Sequence, residues 1–155
     1  MAKIEDCKFE LVACRGFPAY LKCYDKSHNN KCVAWAIIIM YPSKAVDLVH
    51  IYVFPSRRRE GYAQFLIEAI KIRSKAIFTD WEASSEESRE MCQKAGMKRE
   101  NIKGRELLVW REPAKEGEKP AEVAPPEPPK PPEQSKILTM NKNLIVPKPK
   151  IIISK

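Results

Sequence analysis

The chain has 155 residues, of which 44% are hydrophobic and 31% charged, and its net charge is +8. This composition is that of a globular protein, and no apolar run approaches the ~18 residues that cross a bilayer, which excludes a membrane-spanning function. Eight of the thirteen prolines lie in residues 113–136. We therefore predict a folded domain at 1–112, a Pro-rich linker at 113–136 and a basic, apolar tail at 137–155.

The cysteines and the start of the chain bear on the cellular compartment. Five cysteines occur without a C-x-x-C pair, and the acidic N-terminal residues do not resemble a secretory signal. Reduced thiols and a cytoplasmic location are therefore expected. The alternative is a zinc site, although the wide spacings lack paired ligands. Its ligands would be drawn from Cys7, Cys14, Cys23, Cys32 and His28.

The first half of the domain is predicted to form strands. Residues 32–41 are continuously apolar and rich in β-branched side chains, which indicates a strand buried on both faces near the centre of a sheet. Turn-forming residues at 25–30 predict a hairpin between this strand and an earlier strand at 19–24. A further strand could lie before these two, at residues 9–13. A strand at 46–54 follows a short turn and should pair antiparallel with its predecessor.

After these strands, the spacing of the apolar residues changes to that of helices. Apolar residues at i, i+3 and i+4 predict a helix over 57–74 that lies across the sheet. A short strand is predicted at 76–81 and a second helix over 84–95. Serine hydroxyls would cap the N-terminus of this helix, and Gly96 would end it. The last two strands are expected at 97–100 and 106–110, joined as a hairpin through 101–104.

The tail contains three short β-prone patches, at 137–138, 144–146 and 151–153. Two interpretations stay open. The tail is disordered, or it is a peptide that docks on a sheet edge of this chain or of a protein partner. The net positive charge favours an anionic cofactor or partner. Nucleic acid is a less favoured partner, which the basic tail and Arg57–Arg59 would bind.

The segment Val53–Ala63 carries the most specific signal for function. It runs from the end of a strand into the start of a helix, where backbone N–H groups lack intrahelical partners and the helix dipole is positive. Such a turn binds phosphate or pyrophosphate. Gly61 lets the backbone approach the ligand, the small Ala63 leaves room for it, and Arg57–Arg59 add positive charge.

The run Arg58-Arg59-Glu60-Gly61-Tyr62-Ala63 resembles the Arg/Gln-x-x-Gly-x-Gly/Ala motif of the Gcn5-related N-acetyltransferase (GNAT) family. The later Lys94-Ala95-Gly96-Met97 is similar to the family's helix-Gly-Phe ending, and the resemblance covers residues 32–110. It implies an α/β (α+β), GNAT-like fold, with a mixed, mostly antiparallel sheet flanked by helices, and acetyl-coenzyme A as cosubstrate. It also implies two sets of cofactor-binding residues. Backbone amides from Arg58, Arg59, Glu60, Gly61, Tyr62 and Ala63 would bind the pyrophosphate, and Ile51, Tyr52 and Val53 would hold the pantetheine arm and the acetyl carbonyl.

The resemblance further implies acetyl transfer to a primary amine by direct attack in a ternary complex. Asp47 stands where histone acetyltransferases of the family keep a glutamate base, and a carboxylate within a strand can have a raised pKa. The alternative is that Asp47 is a solvated residue beside the 42–45 turn. Simple alternation places His50 and Tyr52 on the opposite face of the strand from Asp47, as packing or satisfied polar residues, unless a β-bulge changes the facing.

The chain departs from the family pattern in three places. Cys92 occupies the position where many members have a general-acid tyrosine; a thiol donates a proton weakly, and inert packing is the alternative. The asparagine that precedes the second helix is missing, with Ser85 or Glu86 near its place. Only residues 15–18 connect the first two strands, where the family has two helices. We therefore expect an acceptor site that is open or completed by another chain, which suits a macromolecular amine, such as one on a protein.

Two other functions are compatible with the sequence. The first is a non-catalytic GNAT-like binding module that acts through its C-terminal tail, which the missing tyrosine supports. The second is a nucleic-acid-associated protein, whose binding should be sensitive to salt and to deletion of residues 137–155.

Overall fold

The computed structural model describes residues 1–13, 18–117, 123–125 and 127. Seven strands form one sheet, in the order β1-β2-β3-β4-β5-β7-β6. The elements in chain order are β1 (Cys7–Val12), β2 (Ala19–Asp25), β3 (Lys31–Met40), β4 (Ala45–Val53), α1 (Tyr62–Lys71), β5 (Ala76–Asp80), α2 (Glu86–Lys94), β6 (Lys98–Ile102) and β7 (Arg105–Arg111). All neighbouring strands pair antiparallel except β4 and β5, which run parallel. The predicted mixed, mostly antiparallel sheet is confirmed.

The strand pairings follow the sequence closely. The β2–β3 and β6–β7 hairpins and the antiparallel β3–β4 pair all form as predicted. The sequence did not indicate that β7 pairs with both β5 and β6. This places β7, the last strand of the described residues, inside the sheet and leaves β6 at its edge.

Both helices are shorter than predicted. The helix expected over 57–74 begins only at Tyr62, because Arg59 and Gly61 have φ angles of +66° and +96°, which a right-handed helix does not accommodate. The second helix begins at Glu86, not at residue 84. Ser85 has an extended backbone, and its hydroxyl accepts a hydrogen bond from the Ser88 N–H, as an N-cap does.

The two helices pack on the same face of the sheet, here called the helix face. The apolar side of α1, including Leu66, Ile67 and Ile70, is fully buried there. Alternate residues of β3, such as Ala36 and Ile38, complete this core. Burial of this apolar surface is the main source of stability of the domain.

No helix within the described ranges covers the other face, here called the open face. A smaller apolar cluster lies on it, formed by Ala45, Ala76, Phe78, Leu107 and Val109. Trp35, Ile37 and Ile39 of β3 also point to this face and are only half-buried. The prediction of a strand buried on both faces is therefore wrong. Its physical reason is the short connection at residues 13–18, which leaves no length for helices between β1 and β2.

Several sequence expectations concern parts of the chain that are described incompletely. The linker at 113–136 is described only at 113–117, 123–125 and 127, and the tail at 137–155 lies outside the described residues. Four cysteines, Cys7, Cys23, Cys32 and Cys92, have free thiols, and Cys14 lies outside the described residues. Within the described ranges, no three His, Cys, Asp or Glu side chains come together as a metal site. Neither described helix is long and apolar enough to cross a bilayer.

Candidate functional site

A β-bulge at Val49 divides β4 into two halves. On β3, Ile38 pairs with Leu48 and Ile37 pairs with His50, so Val49 is the extra residue. β4 pairs with β5 only from Ala45 to Asp47, and beyond Asp47 the two strands diverge. In the described part of the chain, the β5-facing edge of β4 from Val49 to Val53 therefore has no strand partner. A gap opens in the sheet at this point.

The bulge also changes which side chains share a face. Ladder partners lie on the same face of a sheet, and Asp47, His50 and Tyr52 are opposite Ile39, Ile37 and Trp35, alternate residues of β3. All three residues of β4 therefore lie on the open face. The prediction that His50 and Tyr52 face away from Asp47 is wrong, because the extra residue reverses the alternation.

Two clefts meet at the gap, one on each face of the sheet. The helix-face cleft, of about 190 Å³, lies between β4 and α2 and is lined by Ile51, Ser88 and Cys92, among others. The open-face cleft, of about 220 Å³, contains Asp47 and Arg105. Both clefts are lined by Leu48, Val49, Thr79, Ala83 and Ser84. The gap between β4 and β5 thus connects the two faces.

The turn before α1 has the geometry expected of an anion site. The first helical hydrogen bond runs from the Phe65 N–H to the Gly61 carbonyl, at 3.1 Å. The N–H groups of Tyr62, Ala63 and Gln64 precede this bond and donate to no acceptor in the described part of the chain. A Cβ at position 61 would make only ordinary contact with the Phe65 ring, at 3.5 Å. Glycine is required there because of its positive φ, not because of space.

The arginines beside this turn are partly engaged with the protein. Arg58 Nε donates to the carbonyl of Val53, at 3.4 Å, which links the turn to the end of β4. Arg57 Nη1 lies 3.7 Å from Glu60 Oε1, so Glu60 offsets some of the positive charge. An anion at the turn would therefore be held mainly by backbone N–H groups and the helix dipole.

Asp47 is half-buried in the open-face cleft. Burial raises the pKa of its carboxyl group, Arg105 lowers it, and Asp80 raises it further, with a net rise. A raised pKa makes this carboxylate a better proton acceptor than a solvated aspartate. The position within the cleft also argues against the alternative of a solvated residue beside the turn.

Cys92 lies across the gap from Asp47, in the helix-face cleft. Its side chain projects from α2 into the helix-face core and is buried there. Burial raises the pKa of the thiol to about 11. The thiol therefore stays protonated at neutral pH and is a weak acid.

The sequence did not reveal the role of Asp25, a buried carboxylate at the end of β2. Tyr62 Oη donates to Asp25 Oδ2 at 2.6 Å, and Ser27 donates to Oδ1 through its N–H and its hydroxyl, at 2.8 and 2.6 Å. His28 Nδ1 is 2.5 Å from Oδ2. Burial alone would raise the pKa of Asp25, but these hydrogen bonds outweigh it and hold the pKa well below the usual range. Asp25 thereby fixes the first residue of α1.

Three further cleft residues were missed because they come from later elements. Thr79 Oγ1 donates to the carbonyl of Leu48, and Ser84 Oγ donates to the carbonyl of Asp80. Arg105 Nη2 lies 3.6 Å from Asp80 Oδ2. The contacts of Thr79 and Arg105 depend on the pairing of β5 with β4 and with β7, which the local sequence pattern does not indicate, and the Ser84 contact lies in the turn that follows β5.

The fold is that of the Gcn5-related N-acetyltransferases. A GNAT family acetyltransferase from Elizabethkingia anophelis, solved with acetyl-CoA bound, matches with a TM-score of 0.54 at 10% identity, covering 69% of this chain and 99% of that chain. The ribosomal-protein-S18-alanine N-acetyltransferase from Escherichia coli matches with a TM-score of 0.50 at 19% identity, covering 67% of this chain and 76% of that chain. These two likenesses confirm the GNAT-like fold that the motif at Arg58–Ala63 implied.

A Bacillus subtilis N-acetyltransferase in complex with coenzyme A also matches, at 21% identity and a TM-score of 0.49, covering 60% of this chain and 67% of that chain. No protein-family model and no curated protein sequence matches the chain. The structural likeness therefore establishes the fold, and the chemistry has to be argued from the residues of the site.

Proposed function

We propose that this protein is an N-acetyltransferase that moves the acetyl group of acetyl-coenzyme A to a primary amine. The observation that carries the proposal is the gap between β4 and β5. It joins a helix-face cleft, which the cofactor would enter, to an open-face cleft that contains Asp47. Direct transfer requires two substrates to meet with their reacting atoms in contact. Two clefts that share lining residues and are connected through the gap permit this.

The cofactor would be held by the backbone. Within the described residues, the N–H groups of Tyr62, Ala63 and Gln64 have no acceptor and are available to the pyrophosphate, whereas the Arg58 N–H already donates to the Pro55 carbonyl. The free edge of β4, at Ile51, Tyr52 and Val53, offers the pantetheine arm the hydrogen bonds that a neighbouring strand would otherwise take. An arm that follows this edge toward the bulge brings the thioester to the gap. The acetyl-CoA bound to the Elizabethkingia anophelis acetyltransferase supports acetyl-coenzyme A as the cosubstrate.

The reaction then follows from the groups on each side of the gap. The neutral amine attacks the thioester carbonyl carbon, the C–S bond breaks, the nitrogen releases one proton as the amide forms, and the departing thiolate takes up one proton. Asp47 would accept the proton that the ammonium form of the acceptor must lose, directly or through a water molecule. Cys92 lies on the side of the departing sulfur and would donate a proton to it. Because its pKa is about 11, this donation is weak and water can replace it.

The open face favours a macromolecular acceptor. No described helix covers it, and the acceptor cleft is bordered by the carboxylates of Asp47, Asp80 and Glu127. These acidic groups attract a positively charged ammonium group, which must reach Asp47 to be deprotonated. A protein N-terminus or a lysine side chain in an accessible segment fits this arrangement.

An acetylation assay tests the proposal. Acetyl-coenzyme A would be incubated with four classes of amine: small primary amines, polyamines, peptides with a free N-terminus and lysine-containing peptides. We expect one free thiol per amide formed, with amide detected by mass spectrometry. The Asp47→Asn variant should lose most of this activity, while Asp6→Asn, which changes an exposed carboxylate far from the clefts, should retain it.

A non-catalytic binding module is the second candidate, and one observation favours it. Cys92, at the position where the family resemblance implies a general-acid tyrosine, is buried and a poor acid. Binding of acetyl-coenzyme A to the wild type without amide formation from any of the four amine classes would support this function over the first.

A further inference from the structure

A cluster of aromatic rings lies on the open face, beside the acceptor cleft. We call it the aromatic face, and it consists of Tyr20, Trp35, His50, Tyr52 and Phe54. The Trp35 ring stacks on Tyr52 with their centroids 5.3 Å apart, and lies 5.6 Å from His50 and 6.1 Å from Tyr20. Phe54 meets Tyr52 edge-on at 5.5 Å. Tyr20 and Phe54 are about 40% exposed, so the face is large, apolar and accessible.

The chain itself returns to this side of the sheet after β7. Val123 packs on the open-face cluster that includes Ala45 and Val109. Pro125 and Glu127 then line the open-face cleft together with Val49. Val49 directly precedes His50, a member of the aromatic face, in β4. At residue 127 the described chain therefore lies in a cleft that Val49 also lines, one residue along β4 from the aromatic face.

The residues that follow have the composition that aromatic surfaces bind. They are Pro128-Pro129-Lys130-Pro131-Pro132. Proline-rich peptides dock on aromatic grooves in the polyproline II conformation, which costs little conformational entropy. At ~3.1 Å per residue, five residues extend ~16 Å. The β4 segment from Val49 to Phe54 extends about as far, at ~3.3 Å per residue.

We propose that residues 128–132 dock on the aromatic face of their own domain as a polyproline II segment. Docking is favoured because the segment follows residue 127 directly and belongs to the same chain, so its effective concentration near the aromatic face is high. The docking itself does not depend on the proposed acetyltransferase activity.

Nuclear magnetic resonance of the full chain tests this proposal. The three indole N–H signals, from Trp35, Trp81 and Trp110, would be compared between the wild type and a variant carrying Pro128→Ser, Pro129→Ser, Pro131→Ser and Pro132→Ser. Trp81 and Trp110 pack against the helix-face core and serve as internal controls. We expect the Trp35 signal to move and the other two to stay. A Trp35 signal that is unchanged in the variant would overturn the proposal.

Photo-crosslinking identifies directly which segment contacts the aromatic face. The photoreactive residue p-benzoylphenylalanine would replace Tyr52 in one sample and Ile72, which is 81% exposed at the end of α1, in a control sample. We expect the position 52 sample to form an intramolecular crosslink to the peptide that contains residues 128–132, and the control to form none there. Crosslinks from position 52 only to a second copy of the chain, or only to residues 137–155, would refute the assignment.

Discussion

Thr79 Oγ1 donates a hydrogen bond of 2.8 Å to the backbone carbonyl of Leu48. Leu48 directly follows Asp47, the last residue of β4 that pairs with β5. A side-chain hydroxyl thus takes the place of a backbone donor where the two strands separate. This contact satisfies a carbonyl at the gap and fixes the distance between the strands on the floor of both clefts.

Replacing Thr79 with valine should therefore weaken both the fold and the site. The Thr79→Val side chain keeps the shape but leaves the Leu48 carbonyl without its donor, which should cost about 1–3 kcal/mol of unfolding free energy. Urea denaturation measures this loss. Thr79→Ser, which keeps the hydroxyl, should lose less, and a valine variant as stable as the wild type would show that the bond does not hold the gap.

The contact between Tyr62 and Asp25 makes a prediction about pH. Tyr62→Phe removes one donor to a buried carboxylate, which should cost about 1.5–3 kcal/mol at pH 7, the range for hydrogen bonds to charged groups. The pKa of Asp25 is lowered in the folded state, so its ionised form adds stability above the ordinary aspartate pKa, and this is lost as pH falls. The hydrogen bond is lost only when Asp25 is protonated in the folded state, so the cost of Tyr62→Phe should be the same at pH 7 and pH 5 and should shrink only well below the ordinary aspartate pKa. Urea denaturation at several pH values compares the two proteins, and a cost that already falls between pH 7 and pH 5 would contradict the assignment.

Asp47→Asn should separate stability from activity. The pKa of Asp47 is raised in the folded state, so the folded protein binds a proton more readily than the unfolded chain, and wild-type stability falls as pH rises above the ordinary aspartate pKa. The neutral variant avoids this cost and should melt at a higher temperature than the wild type at pH 7, but not at pH 3. A lower melting temperature at pH 7 would show that the carboxylate stabilises the fold.

The same variant should lose activity. If Asp47 is the general base, Asp47→Asn lowers kcat/KM by on the order of 10²–10⁴. The wild-type pH profile should rise with ionisation of a group above the ordinary aspartate pKa, and this rise should be missing from the variant. Steady-state rates between pH 4 and pH 9 measure both quantities. A profile of the same shape in both proteins would assign the rise to the acceptor amine alone.

Cys92 should contribute little to the rate. Because its pKa is about 11, the thiol is a weak proton donor, and Cys92→Ala should lower kcat by less than ~10-fold, below the usual range for a general acid. Cys92→Ser, a smaller change in shape, serves as the matched control. A loss in the alanine variant as large as that of Asp47→Asn, at unchanged affinity for acetyl-coenzyme A, would make Cys92 the principal acid.

The order of elements and the turn at Arg58–Ala63 were accessible from sequence because each depends on local patterns: hydrophobic periodicity, turn residues and the glycine at position 61. The face of the sheet on which His50 lies could not be predicted from the sequence. A single extra residue at Val49 reverses the alternation of the strand without altering its composition. The contacts of Asp25 and Thr79 were also inaccessible. Their partners lie 37 and 31 residues away, and only the folded sheet brings them together.

Isothermal titration calorimetry with acetyl-coenzyme A tests the central claim most directly. Gly61→Glu places a negative side chain in the anion turn at a positive φ, and Gly104→Glu makes the same change in the β6–β7 hairpin, where φ is also positive. Circular dichroism would first show that both variants are folded. We predict micromolar binding by the wild type and by Gly104→Glu, and none by Gly61→Glu. Equal binding by both variants, or no binding by the folded wild type, would contradict a cofactor site at this turn.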